Sequence, residues 1–166
     1  MSSENLIIFA QRVTRPARKF MLKRGVKATH YFEYAEEVGC DVWGTLVSVK
    51  EALFEPVGAW LPDYLVPPNT SKYVQGVELP NSYAASIPEG FELIELPACT
   101  YLVFQGPPYD DAEFDVNITA VRRAIKQYNP QHYGYDFDDT IGPVFQLEPQ
   151  GYRGYIEMHP IKEKTS

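Results

Sequence analysis

The sequence predicts an α+β domain of pseudo-twofold design: a duplicated strand-helix-strand-strand unit builds one mainly antiparallel sheet, with two helices on one face and a groove on the other. Three observations carry this. Val42, Leu46, Val49 and Leu53 form an apolar stripe with the same 0, 4, 7, 11 spacing as Phe114, Ile118, Val121 and Ile125, 72 residues further on. Strand-like runs surround both stripes in the same order. Two helices of about 14 residues can cover only one face of a sheet of at least six strands, so the other must meet solvent, a partner or a ligand.

Taken in order, residues 1–16 read as a lead-in that ends at Pro16. Residues 17–163 then form a single domain, with repeats over about 17–80 and 90–161. The run Arg18 to Gly25 alternates loosely and reads as a first strand. From Asp41 the period becomes helical, and Glu55-Pro56 ends that helix. Val57 to Pro62 is a short strand and Tyr73 to Leu79 a longer one, with the Pro67-Pro68-Asn69 loop between them. In the second half, Phe91 to Leu96 and Thr100 to Gln105 are split by Pro97 and read as a bent or paired strand. Asp110 followed by Glu113 suggests a capping box before the second helix, which Asn129-Pro130 stops. Val144 to Leu147 and Tyr152 to Ile161 supply the last two strands.

Composition narrows the function classes. The 166 residues carry 12 Tyr, 9 Phe and 2 Trp, a count that suits a binding surface as well as a core. The formal charge of −7 is uneven: seven of 15 basic residues precede position 28, leaving the remainder at about −13. That field repels nucleic acid and anionic lipid and favours neutral or cationic partners. The basic start reads as an edge strand with its approach loop, where Lys and Arg discourage edge pairing. Cys40 and Cys99 are too few for a disulfide framework, and His30, His132 and His159 lack metal-ligand spacing, so no metal and no cofactor is expected. No signal peptide is read in Ser2-Ser3-Glu4-Asn5, and the run Leu6 to Ala10 is too short to span a bilayer, so a cytoplasmic location is expected.

The stretch Tyr152 to Ile161 is the most suggestive. With a period of two, Arg153, Tyr155, Glu157 and His159 point one way and Ile156 and Met158 the other. If Ile156 and Met158 pack on the helices, the open face gathers Tyr155, Glu157 and His159, together with Trp60 and Tyr101 from neighbouring strands. This describes an aromatic groove containing one acid, a site for a hydrophobic or cationic small molecule. Glu78 is a second acid, because Gly76-Val77-Glu78 matches Tyr155-Ile156-Glu157 at the ends of the two halves. The aromatic and acidic run His132 to Asp138 is a candidate lid.

Several stretches carry a resemblance to a known family: Val38-Gly-Cys-Asp-Val-Trp43, Gly58-Ala-Trp-Leu-Pro62, Tyr73-Val-Gln-Gly-Val-Glu78, Gly90-Phe91, Tyr101-Leu-Val-Phe-Gln-Gly106 and Tyr155-Ile-Glu-Met-His-Pro-Ile161. In this order they resemble the GyrI-like small-molecule-binding family, the effector-binding domain that accompanies AraC-type and MerR-type regulators and also stands alone. The resemblance spans about residues 17–163. It implies two repeats around a central ligand groove for amphipathic or cationic molecules, with Glu157 as the acid and Trp60, Tyr101 and Tyr155 as walls. No two-helix DNA-binding pattern precedes the first strand, so a stand-alone sensor or sequestering protein, linked to transcription regulation or multidrug response, is expected, without direct nucleic-acid or membrane binding. Two alternatives come with the resemblance. One is a hydrolase of strained electrophiles, with Glu157 as base and Tyr101 as donor. The other is a protein-interaction module of gyrase-inhibitor type, docking a partner on the same face.

Overall fold

The computed structural model describes residues 6–164; the expectation about Ser2-Ser3-Glu4-Asn5 falls outside this range. Within it the chain forms one mostly antiparallel sheet of nine strands and three α-helices. The strands are β1 (Phe9–Arg15), β2 (Arg18–Lys23), β3 (Val57–Trp60), β4 (Tyr73–Leu79), β5 (Glu92–Leu96), β6 (Cys99–Gln105), β7 (Tyr135–Phe137), β8 (Val144–Leu147) and β9 (Ile156–Glu163). The helices are α1 (Tyr31–Val38), α2 (Asp41–Val47) and α3 (Phe114–Gln127).

The sheet order is β1-β6-β9-β8-β3-β4-β2-β5, with β7 paired to the far end of β9. Read from either end, this order exchanges the first and second halves of the chain, with β3 and β8 paired antiparallel at the middle. Two connections then set the shape. β1 runs into β2, and β5 into β6, through two residues each, Pro16-Ala17 and Pro97-Ala98, yet each pair is six strand positions apart. Six positions in a flat sheet span about 29 Å, whereas two connecting residues reach about 10 Å. The sheet must therefore curl until its ends approach.

Side chains on the concave face record this curl. Phe20 of β2 and Tyr101 of β6 both meet Phe145 of the middle strand β8, at ring-centroid separations of 5.9 and 5.5 Å. All three rings are buried, and they join Leu22, Val57, Ala59, Val74 and Met158 in one cluster. Gly76 is required here, because a Cβ at that position would collide with the Phe20 ring. Arg18 ties the approaching ends together: Nε donates to Glu78 Oε1 at 2.8 Å, Nη1 to the Pro97 carbonyl at 2.8 Å and Nη2 to the Tyr101 hydroxyl at 3.2 Å.

Within the α+β class, several details depart from the sequence reading. The supposed lead-in contributes β1, which pairs along its length with β6. The two runs split by Pro97 are not one strand: β5 pairs with β2, and β6 with β1 and β9. The first helical stripe breaks after Val47, and the chain turns so that the Leu53 amide donates to the Glu78 carbonyl. Val49 and Leu53 thus belong to a segment laid beside β4, not to a helix. α1 supplies the missing length and is shorter than the usual amphipathic signal needs. Its start is tied by Glu33, whose carboxylate accepts from the Thr29 amide and hydroxyl.

The convex face carries all three helices. Tyr34 of α1 packs on Tyr73 of β4, and Val121 of α3 on the cluster that contains Leu102 and Phe104 of β6. The β6–β9 register pairs Phe104 with Glu157 and Leu102 with His159, so the acid and histidine share this helix-bearing face. Ile156 and Met158 point instead into the concave interior. The concave face, expected to be the open one, is the core, because the curl encloses it.

Gly58 tests this packing. A Cβ there would collide with the Tyr73 hydroxyl. Gly58→Ala is expected to cost about 1–3 kcal/mol, and Tyr73→Phe in the same chain should recover part of it. Urea unfolding of the two single variants and the double variant measures the coupling.

Candidate functional site

The centre of the convex face is left uncovered between the helices. A cavity of about 810 Å³ lies there, with α1 and α2 on one side, α3 on the other and β4, β3 and β8 beneath. A single row of cross-strand neighbours, Glu157, Gln146, Gly58 and Gln75, runs across β9, β8, β3 and β4. Seven aromatic residues line the cavity, among them Trp43, Trp60, Tyr73 and Phe114.

Each wall has a local cause. Gly58 leaves room for the Tyr73 hydroxyl to cross the floor, where it donates to Gln146 Oε1 at 3.4 Å. Trp60 is fixed by its indole N–H, which donates to the Thr29 carbonyl at 2.9 Å, and by the Tyr73 ring 5.3 Å away. Trp43 is held by Glu148, whose carboxylate accepts the indole N–H at 3.1 Å. On α3, Phe114 and Ile118 turn to the cavity, while Val121 on the same stripe turns to the core. Arg122 is four residues beyond Ile118 and so continues the cavity side of the helix.

Glu157 is only 4% exposed and lies beneath Arg122. Arg122 Nε donates to Glu157 Oε2 at 2.8 Å, and His159 Nε2 is 2.9 Å from Oε1. The Tyr155 hydroxyl accepts from Gln146 Nε2 at 2.9 Å and from Arg122 Nη2 at 3.2 Å, so its own proton goes to Glu157 Oε2. A directed chain thus crosses the floor from Tyr73 through Gln146 and Tyr155 to Glu157. Burial alone would raise the Glu157 pKa, but hydrogen bonds from His159, Tyr155 and Arg122 outweigh it and hold the carboxyl below its ordinary value. Burial, with the neighbouring carboxylate, pushes the Tyr155 phenol upward, so it remains a donor at neutral pH.

The residues singled out from the sequence divide between the two faces. Trp60 lines the cavity, and Glu157, Tyr155 and His159 form the network beside it. Glu78 and Tyr101 lie on the concave face, bound to Arg18. The local match of Glu78 with Glu157 is three residues out of register: Gln75 pairs with Gly58 as Glu157 pairs with Gln146, so Gln75 is the structural counterpart. The candidate lid, residues 132–138, does not cover the cavity. Its Tyr135–Phe137 strand pairs with the end of β9, and Phe137 packs against Phe104. Sequence reasoning missed Arg122, Tyr73, Gln75, Gln146 and Phe114. Arg122 had a signal, because it continues the Ile118 side of the helical stripe; the glutamines had none, because strand pairing alone brings them together.

The fold is shared with several solved structures. No family model matches the sequence, and no curated protein matches it. Among solved structures, the chain is similar to SAV2435 bound to tetraphenylphosphonium, with a TM-score of 0.57 and 14% identity over 93% of this chain and 94% of that one. It is also similar to the EcmrR C-terminal domain, at 0.52 and 13% over 95% and 99%. A third neighbour is a candidate transcription regulation protein of Staphylococcus aureus MU50, at 0.52 and 13% over 93% and 98%. These likenesses agree with the GyrI-like resemblance and concern the fold. No helix among the described residues is long and apolar enough to cross a membrane.

The Glu157 network sets an acid limb of stability. Its carboxyl has a depressed pKa in the folded state, so its contribution is complete above the ordinary value of 4.5 and is lost as pH falls through the lower folded value. Glu157→Gln is expected to destabilise by about 1–3 kcal/mol at pH 7. Urea titrations between pH 7 and pH 3 should show the gap from wild type closing only below the ordinary carboxylate value.

Proposed function

We propose that this domain captures a hydrophobic cationic small molecule in the cavity between α1, α2 and α3. On this reading it is a cytoplasmic sensor or sequestering domain of the kind associated with AraC-type regulators and multidrug response, and its symmetric strand order, β1 included, reflects an internal duplication. The observation that carries the proposal is the pairing of aromatic walls with an excess of carboxylate. Seven aromatic rings line the cavity, and Asp115, Glu148 and the adjacent Glu157 outnumber Arg122. Aromatic faces and carboxylates both attract a cation, and apolar walls repay the transfer of its hydrophobic body from water. The tetraphenylphosphonium bound to SAV2435, a neighbour in fold, supports the same ligand class.

The concave form favours capture over docking of a protein partner, for which a flat aromatic face would be the better match. The hydrolase reading gains no support, because Glu157 and Tyr101 point to opposite faces of the sheet.

Titration calorimetry with tetraphenylphosphonium tests the proposal. Trp60→Ala or Phe114→Ala should weaken binding by about 2- to 30-fold, corresponding to one cation–π contact of about 0.5–2 kcal/mol. Tyr101→Phe, a change on the concave face, should leave the affinity as it is. Equal affinity in wild type, Trp60→Ala and Phe114→Ala would remove the cavity as the binding site.

A further inference from the structure

Arg122 stands where the charge of a bound cation would have to stand. Its guanidinium donates from Nε to Glu157 Oε2 and from Nη2 to the Tyr155 hydroxyl, with Cζ 6.0 Å from the Trp60 ring centroid and 5.8 Å from that of Tyr155. The two members of the ion pair are unequally held. The Glu157 side chain is 6% exposed and fixed by His159 and Tyr155 besides, whereas the Arg122 side chain is 47% exposed and belongs to the cavity lining. Removing Glu157 from its donors would strand a buried charge, but moving Arg122 returns a half-solvated charge to water. The arginine is therefore the partner that can leave.

What it would leave behind is shaped for a particular kind of cation. Glu157 Oε1 remains engaged by His159, and the Tyr155 oxygen still accepts from Gln146. One carboxylate oxygen and one hydroxyl oxygen, hydrogen-bonded to each other, each lose an N–H donor. A planar cation with two N–H groups on one edge restores both bonds, as guanidinium does. A quaternary ammonium or phosphonium ion restores neither, because it has no N–H.

We propose that the ligand's cation replaces the Arg122 guanidinium on Glu157 and Tyr155, and that the preferred ligands are aromatic amidines or guanidines rather than quaternary cations. Arg122 is then an internal competitor that disfavours any cation unable to remake its hydrogen bonds. This rests on the reading of the cavity as a cation site.

The experiment is calorimetry with 4-phenylbenzamidine and with tetraphenylphosphonium on wild type, Arg122→Met, Glu157→Gln and the double variant, each checked for folding by thermal melting. The amidine should bind wild type more tightly than the phosphonium. Arg122→Met should tighten the amidine by about tenfold or more, and the gain should vanish when Glu157→Gln is added. Arg122→Gln carries the same expectation and serves if Arg122→Met does not fold. In the wild type, the Arg122 Nε–H resonance should lose its hydrogen-bonded shift when the amidine is added. If both cations bind but Arg122→Met leaves their affinities unchanged, the exchange is wrong and the cavity reading stands. If the phosphonium gains as much as the amidine, the planar-cation preference is wrong. If neither cation binds wild type or any variant, the exchange falls together with the reading it rests on.

Discussion

Two short connections govern this molecule. Pro16-Ala17 and Pro97-Ala98 must each join strands six positions apart, which is possible only if the sheet curls. Curling encloses one face, and that face becomes the main core, filled by Phe20, Tyr101, Phe145 and Met158. Arg18 secures the closure through hydrogen bonds to β4, to β6 and to the Pro97 carbonyl between β5 and β6. A buried ion pair contributes little net stability, because desolvation offsets its attraction, but it penalises arrangements that separate its partners. Here it sets the position of the sheet ends.

With the concave face enclosed, the helices have only the convex face to cover. They pack over its two ends, α1 and α2 near β4 and α3 near β6, leaving the centre open above the β3–β8 pair. The cavity therefore follows from a symmetric sheet with helices set at both sides. Its floor is unusually polar for a sheet face between helices, since Gln75, Gln146 and Glu157 occupy one cross-strand row. A buried polar group must find a partner, and Gln146 and Glu157 do so with Tyr73, Tyr155, Arg122 and His159 in one connected network. The same connection couples the cavity lining to the acid beneath it.

Much of the fold was legible. The apolar stripe of α3, the runs that became β2, β3, β4, β6, β8 and β9, and the mainly antiparallel α+β class all follow from local periodicity. The second helical stripe was reliable because all four of its positions lie on a helix in the structure, even though they serve two surfaces. The first was not, because Val49 and Leu53 sit on a segment that leaves the helix to run beside β4, and a periodic pattern cannot register a turn imposed by a distant strand.

The sequence by itself determined which residues lie together on a strand edge. Alternation over Tyr155 to Ile161 separates Glu157 and His159 from Ile156 and Met158 wherever the strand is placed. It also fixed Arg122 on the Ile118 side of its helix. Only the tertiary structure decided which face of the sheet is inside. Two partial sheets of the same alternation can be covered by helices on either side, and the choice was made by the reach of two dipeptide connections, a property of topology rather than of any residue pattern. That choice put Glu157 beneath Arg122 on the helix side, and sent Glu78 and Tyr101 into the core with Arg18.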